Sequence, residues 1–310
     1  SIRISGKSFG TITNNEGNFH LSVKNDKTEI WASYIGYESK RYIIDENDTF
    51  LDILLKSKVE NISEFTITDI SNIEISQIIR NIKKSIKKQK TIQSKSFLRY
   101  YTYQNDTVPK ELLEGYFNTK SNLFGIRSLK LKAGKIIIPK NKNYFLSLDI
   151  ISNLLKEVNL FNDNNSNYSK LSPLFNKNIK NNNSLFTFNF FNMNDSINTI
   201  SYNSDSLRCS GDFFYNKHTL QVYKIDLTKK YYTNFPIESI NKTKKIDSLI
   251  LNLTINYDLY KENIYIDYFR GSLEFNYTSI NKKENKKIRN SFILKQYDIN
   301  NQFKLPLNSS

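Results

Sequence analysis

At 310 residues, with 38% apolar and 14% aromatic side chains, the chain is long enough to bury a core and too apolar to be wholly disordered. Its formal charge of +15 comes from 45 basic against 30 acidic residues, most of the basic ones lysine. Lysine is a hydrated point charge, whereas arginine supplies bidentate contacts to phosphate and base edges. The excess therefore reads first as AT-rich coding bias, and only then as affinity for an anionic membrane surface or nucleic acid.

Cys209 is the only cysteine, which excludes an internal disulfide and a multi-thiolate zinc site. No run of about 18 apolar residues offers a membrane-spanning helix. The sequence opens at Ser1 and Ile2 in strand-like sequence, so it reads as a mature or truncated piece.

Residues 1–70 alternate as strands do. Phe19, Leu21 and Val23 point one way and His20 and Ser22 the other, and Asn14-Asn15-Glu16-Gly17-Asn18 before them is a turn signal, which predicts a hairpin. Apolar stretches at 30–35, 42–44, 50–55 and 65–67 complete the pattern of a small antiparallel sandwich. The period then changes: Ile75, Ile78, Ile79, Ile82 and Ile86 lie on one face of a helix, with lysines on the rest of its surface, so residues 71–94 read as an amphipathic helix and linker. The helix is expected to dock its isoleucines on a β-domain.

Strands return from residue 95 and grow longer through 306. Phe186, Phe188 and Phe190 alternate with polar residues, as do Leu251, Leu253, Ile255 and Tyr257, which predicts sheets with one wet face. Ile151, Leu154, Leu155 and Val158 predict a further short helix, and 162–166 and 181–184 are polar loops.

The stretch Gly10-Thr11-Ile12-Thr13-Asn14-Asn15-Glu16-Gly17-Asn18-Phe19, followed by Ser33-Tyr34-Ile35-Gly36-Tyr37, resembles the carboxypeptidase regulatory-like domain. That resemblance implies a transthyretin-like β-sandwich, found at the start of many Gram-negative envelope proteins including TonB-dependent receptors. It implies a periplasmic or outer-membrane location, reached through a signal peptide that this sequence does not contain. The family usually has a strand ahead of the one beginning at Ile2, here missing or supplied by a neighbour. Physically, Gly17 supplies a positive φ, and Gly36 lets Tyr34 and Tyr37 flank a bend.

A weaker likeness continues. Some envelope proteins of this kind open a large β domain with Phe-Tyr-Arg-Glu, where this chain has Phe97-Leu98-Arg99-Tyr100, then Glu114-Gly115-Tyr116. Tyr100 replaces the acidic member, which puts that motif's ion pair in doubt. Gly211 through Tyr223 is similar to the family's glycine, strand, turn, strand unit. The implied shape is a curved open antiparallel sheet like that of a lipoprotein carrier.

Chemistry-bearing patterns are sparse. Only His20 and His218 are present, with no HExxH, so a metallopeptidase centre is not predicted, nor any metal or cofactor. Gly6-Lys7-Ser8-Phe9-Gly10 matches G-x-S-x-G but leads into a β-run rather than a helix. Cys209 follows Arg208, which would lower its pKa if the thiol were exposed; a buried, inert thiol is the expectation. Asp205, Asp212, Asp226 and Asp267 are carboxylates that tertiary structure would have to bring together for acid–base work.

Lys282, Lys283, Lys286, Lys287 and Arg289 form a basic cluster that reads as a charged hairpin loop rather than a nucleic-acid groove. The reading is therefore a non-catalytic envelope module that binds or scaffolds a protein, glycan or lipid. Tyr231, Tyr232, Tyr265 and Phe269 are its candidate binding aromatics, each also a candidate for the core. The alternatives are a lipid carrier with a trough on the Phe186, Phe188 and Phe190 face, and a hydrolase with converging carboxylates.

Overall fold

The computed structural model describes residues 2–5, 10–11, 13, 17–23, 27–32, 37–45, 47–56, 66–67, 70–87, 90–105, 108–123, 125–137, 185–192, 196–232, 244–260, 263–279 and 285–304. The chain forms two compact units, Ser1–Ser63 and Glu64–Ser310. The first holds 8 basic and 9 acidic residues, so the positive excess of the protein belongs to the second.

In the first unit β1 (Ile2–Ile4), β2 (Gly10–Thr11), β3 (Lys27–Ala32) and β4 (Lys40–Asp45) form an antiparallel sheet of order β2-β1-β3-β4. Alternation puts Ile2, Ile4, Ile30, Ala32 and Ile44 on its buried face. Phe19, Leu21, Leu51, Ile53 and Leu55 pack on that face from two segments whose burial alternates as in strands. Among the described residues these segments join no ladder, so the second half of the expected hairpin, at 19–23, packs through side chains without strand pairing. Gly17 has φ of +87° with open space around it, so the backbone angle rather than crowding calls for glycine. Gly10 pairs with Arg3, Phe19 is half-buried, and Tyr37 is 41% exposed; Tyr34 and Gly36 lie outside the described residues.

The expected strand at 65–67 belongs elsewhere. β5 (Thr66–Ile67) pairs with β9 (Thr187–Asn192) in the second unit. That unit is an eleven-stranded, curved, open sheet. Its other strands are β6 (Ile92–Gln104), β7 (Val108–Asn122), β8 (Gly125–Ile137), β10 (Ile197–Ser204), β11 (Cys209–Asn216), β12 (Val222–Tyr231), β13 (Lys244–Tyr260), β14 (Asn263–Ser279) and β15 (Asn285–Tyr297). The order β5-β9-β10-β11-β12-β13-β14-β15-β6-β7-β8 is antiparallel throughout, and β6 pairs with β15 although nearly 200 residues separate Leu98 from Leu294.

One face of this sheet is the core side. It carries Ile200, Phe213, Tyr215, Ile225, Leu251, Leu253, Phe269, Phe292 and Leu294, which lie opposite one another on successive strands. The helix α1 (Asn72–Lys87) lies against β9 and buries Ile75, Ile79 and Ile82 in the same core, with Ile78 half-buried beside them. A capping box starts it: the Glu74 amide donates to Ser71 Oγ at 3.3 Å and the Ser71 amide to Glu74 Oε2 at 3.0 Å. The Ser71 hydroxyl, donating to Glu74 Oε2 at 2.8 Å, and then the Ser71 amide hold the Glu74 carboxyl below its usual range. The short helix expected around residues 151–158 lies outside the described residues.

At the β6 and β7 end the core side sets polar residues beside Leu98, Tyr100, Leu113 and Phe117. Gln296 Oε1 accepts from Ser94 Oγ at 2.7 Å and Ser121 Oγ at 2.9 Å, Ser96 bonds Thr119, and Thr102 Oγ1 donates to Asn290 Oδ1 at 2.8 Å. All these residues are buried, and their mutual bonds offset part of the loss of water, with Asn290 Nδ2 and Gln296 Nε2 left without a partner among the described residues.

Gly211 sits where a Cβ would meet the backbone oxygen of Asp226 and, at 2.6 Å, the hydroxyl of Tyr202. Gly211→Ala should therefore lower stability by about 1–3 kcal/mol in a denaturant titration; an unchanged midpoint would mean the two strands are not this close. Burial raises the phenols of Tyr100 and Tyr257, and burial followed by the Asp267 charge pushes Tyr268 up to about 12. The unfolded chain, with phenols near about 10, releases these protons first, so their contribution is intact below that pH and falls as pH rises through it. Ultraviolet titration should show these tyrosines ionising together with loss of circular dichroism, not before it.

Candidate binding surface

The aromatic residues singled out from the sequence separate in the structure. Phe269 is 0% exposed and stacks on Phe292 with ring centroids 5.9 Å apart, so it is core and not a contact residue. Tyr231 packs against the core from the end of β12, under Lys229. Tyr265 is half-buried, its hydroxyl 3.5 Å from Asp258 Oδ2. Tyr232 is 53% exposed with the Arg208 guanidinium 4.8 Å from its ring centre. The four therefore form no single patch in the register: Tyr231 and Phe269 share the core side, while Tyr265 lies at the far end of β14.

The Phe186, Phe188 and Phe190 face is filled. Phe186 and Phe190 are buried in the core that also holds the α1 isoleucines, and Phe188 packs against it.

What the sequence did not show is the order of residues on the opposite, outer face. Ladder register places Ser201, Asp212, Asp226, Thr254 and Arg270 side by side on five successive strands, and the row continues through Ile293 to Arg99, Glu114 and Lys135. Asp212 thus faces Asp226. The like charges are offset by donors: Ser201 Oγ bonds Asp212, Thr254 Oγ1 donates to Asp226 Oδ1 at 2.7 Å, and Lys224 Nζ lies 2.6 Å from Asp226 Oδ2. At the other end Glu114 receives Arg99 Nε at 2.7 Å and Lys135 Nζ at 2.9 Å. Tyr100, which stands where the motif has its acidic member, points to the core side, and Arg99 pairs instead with the acid on the neighbouring strand.

The next row along the strands is aromatic and cationic. Lys224 lies 5.0 Å from the Phe214 ring centre, Lys295 lies 5.9 Å from that of Tyr268 and bonds Asp267 at 2.5 and 2.6 Å, and Phe97 packs on Tyr116 at 5.2 Å. The segment 298–304 crosses this end of the face. Phe303 meets the Tyr116 ring at 6.3 Å, and its backbone exchanges two hydrogen bonds with the Asn118 amide at 2.7 and 2.9 Å. On the other side of the charged row lie Ser210, Thr228, Asn252, Ser272 and Ser291, again on five successive strands. Pairing alone makes this surface: no two neighbours in it are close in sequence across strands.

The remaining sequence candidates contribute little chemistry. Asp205 accepts from Asn203 Nδ2 in a turn at 2.9 Å. His20 is exposed and 3.5 Å from Ser22 Oγ, and His218 is exposed in the turn after β11. Lys287 and Arg289 sit in strand β15 rather than in a loop, at 3.6 and 3.2 Å from Glu274; Lys282, Lys283 and the G-x-S-x-G serine lie outside the described residues.

Residues 1–67 match the family described as the CarboxypepD_reg-like domain. No curated protein matches the chain. A solved structure similar to it is that of a DUF1329 family protein from Desulfovibrio piger, 9% identical, with a TM-score of 0.33 and covering 76% of this chain and 95% of that one.

Cys209 is 4% exposed on the core side, opposite Lys229. Burial pushes its thiol up to about 11, against the opposing pull of Lys229, whose own pKa burial lowers. The thiol should therefore resist a disulfide reagent at about pH 8 in the native protein and react fully in denaturant; rapid native labelling would contradict this burial.

Proposed function

We propose that this chain is a non-catalytic binding or scaffolding protein of the Gram-negative cell envelope. The observation that carries the reading is the division of labour in the large sheet. Its core side packs apolar side chains with its own helix and a group of hydrogen-bonded hydroxyls, while its outer side aligns charged, aromatic and hydroxyl side chains over many strands.

A surface of that kind offers many directed donors and acceptors and several partly buried rings, the composition that recognises another molecule. The carboxylates on it are held by hydroxyls and lysines, which suits a binding face better than a proton-transfer pair. The CarboxypepD_reg-like domain supports the envelope setting, where it acts as a docking or spacing module for the larger unit. The partner is a protein, a glycan or a lipid surface of the envelope.

Fractionation of cells producing the tagged full-length gene product, with protease added to intact cells, tests this reading. Recovery with the periplasm or outer membrane is expected. Recovery in the cytosol would overturn it.

A further inference from the structure

At one end of the large sheet β8 is the outermost strand among the described residues, 13 residues long. An edge strand presents unpaired backbone amides and carbonyls, and natural sheets protect such edges with lysines and bulges. Both devices are present. Register shifts opposite Tyr116/Phe117 and Lys120/Ser121 leave Lys132 and Arg127 as the extra residues, and Lys130 and Lys135 stand out from the strand.

Protection alone does not explain the apolar side chains beside them. Leu131, Ile136 and Ile137 are 56%, 54% and 57% exposed. Leu131 and Ile136 lie opposite Phe117 and Leu113, on the core side of the sheet, while Lys130 and Lys135 lie opposite Asn118 and Glu114, on the outer side. Ile137, opposite Leu112, lies on the outer side, so over residues 130–136 the edge has one apolar and one cationic flank. Lys135 is neutralised by Glu114, whereas Arg127, Lys130 and Lys132 have no acidic partner among the described residues.

Taking the chain to be a binding protein, as proposed above, we infer that β8 is a docking edge for an extended segment of a partner protein that alternates acidic and apolar residues. Such a segment adds a strand to the sheet through backbone hydrogen bonds along 133–137. Its apolar side chains cover Leu131 and Ile136, and its carboxylates meet Lys130 and Lys132. A second copy of this chain is a poor occupant, because antiparallel self-pairing would set these lysines against their equivalents.

The test uses the whole chain and a labelled synthetic peptide of alternating aspartate and valine, followed by fluorescence anisotropy. Saturable binding is expected. It should be lost when alternate peptide amides are N-methylated, which blocks the ladder and keeps the charge, and weakened at least tenfold in the doubly substituted Lys130→Glu, Lys132→Glu chain. Both lysines are on the surface of the edge, so circular dichroism of that variant should match the parent. Equal binding of the methylated peptide would reduce the effect to charge attraction and overturn the inference, as would undiminished binding by the variant or self-association through this edge. Failure here leaves the fractionation result standing, and a cytosolic location would leave peptide binding to be judged by itself.

Discussion

Covering one apolar side of a wide open sheet is the constraint on which the second unit depends. A sheet of ten long strands at a spacing of about 4.8 Å spans nearly 50 Å, whereas a helix of 16 residues at about 1.5 Å per residue reaches about half of that. α1 lies at the β9 end, and there the core side is Phe, Ile, Leu and Tyr. At the β6 and β7 end the same side mixes Leu98, Tyr100, Leu113 and Phe117 with Ser94, Ser96, Thr119, Ser121 and Gln296, whose hydroxyls bond one another and the Gln296 carbonyl while Gln296 Nε2 is left without a partner among the described residues. The apolar core thus extends well beyond the reach of the helix, with a hydrogen-bonded group of hydroxyls set into it, and the outer side is left to carry other chemistry.

The outer side is organised by register rather than by any motif. Side chains on one face of a strand recur every second residue, so a slip of one position would exchange the two faces throughout. The buried Phe and Leu side chains hold the pairing in place, and the alignment of Asp212 with Asp226, or of Arg99 with Glu114 and Lys135, follows from it. Core packing and surface chemistry are in this sense one decision. A change such as a Cβ at Gly211, aimed at the packing between β11 and β12, would also disturb the charged row beside it.

The two units divide the charge unequally. The CarboxypepD_reg-like unit is nearly neutral and the large sheet carries the positive excess. Much of that charge is locally paired, as at Lys224, Lys295, Lys287 and Arg289. Among the described residues Arg127, Lys130 and Lys132 of β8 have no acidic partner and stand beside exposed apolar groups.

The sequence by itself determined the classes of structure: period-two alternation in Leu251, Leu253 and Ile255 made a half-buried strand, the isoleucine spacing made α1, and Gly17 marked a turn by its need for positive φ. It determined as well that no HExxH centre was available, since the two histidines, His20 and His218, stand far apart in sequence. It did not separate Phe269 from Tyr232, because a strand aromatic is core or surface according to which face its neighbours bury, and both faces look alike to a local pattern. Nor did it assign residues 66–67 to the large sheet, find Glu114 as the partner of Arg99, or show that β8 is outermost among the described strands. Those facts depend on strand order, which joins β15 to β6 across nearly the whole chain, and only tertiary packing selects such long-range pairs.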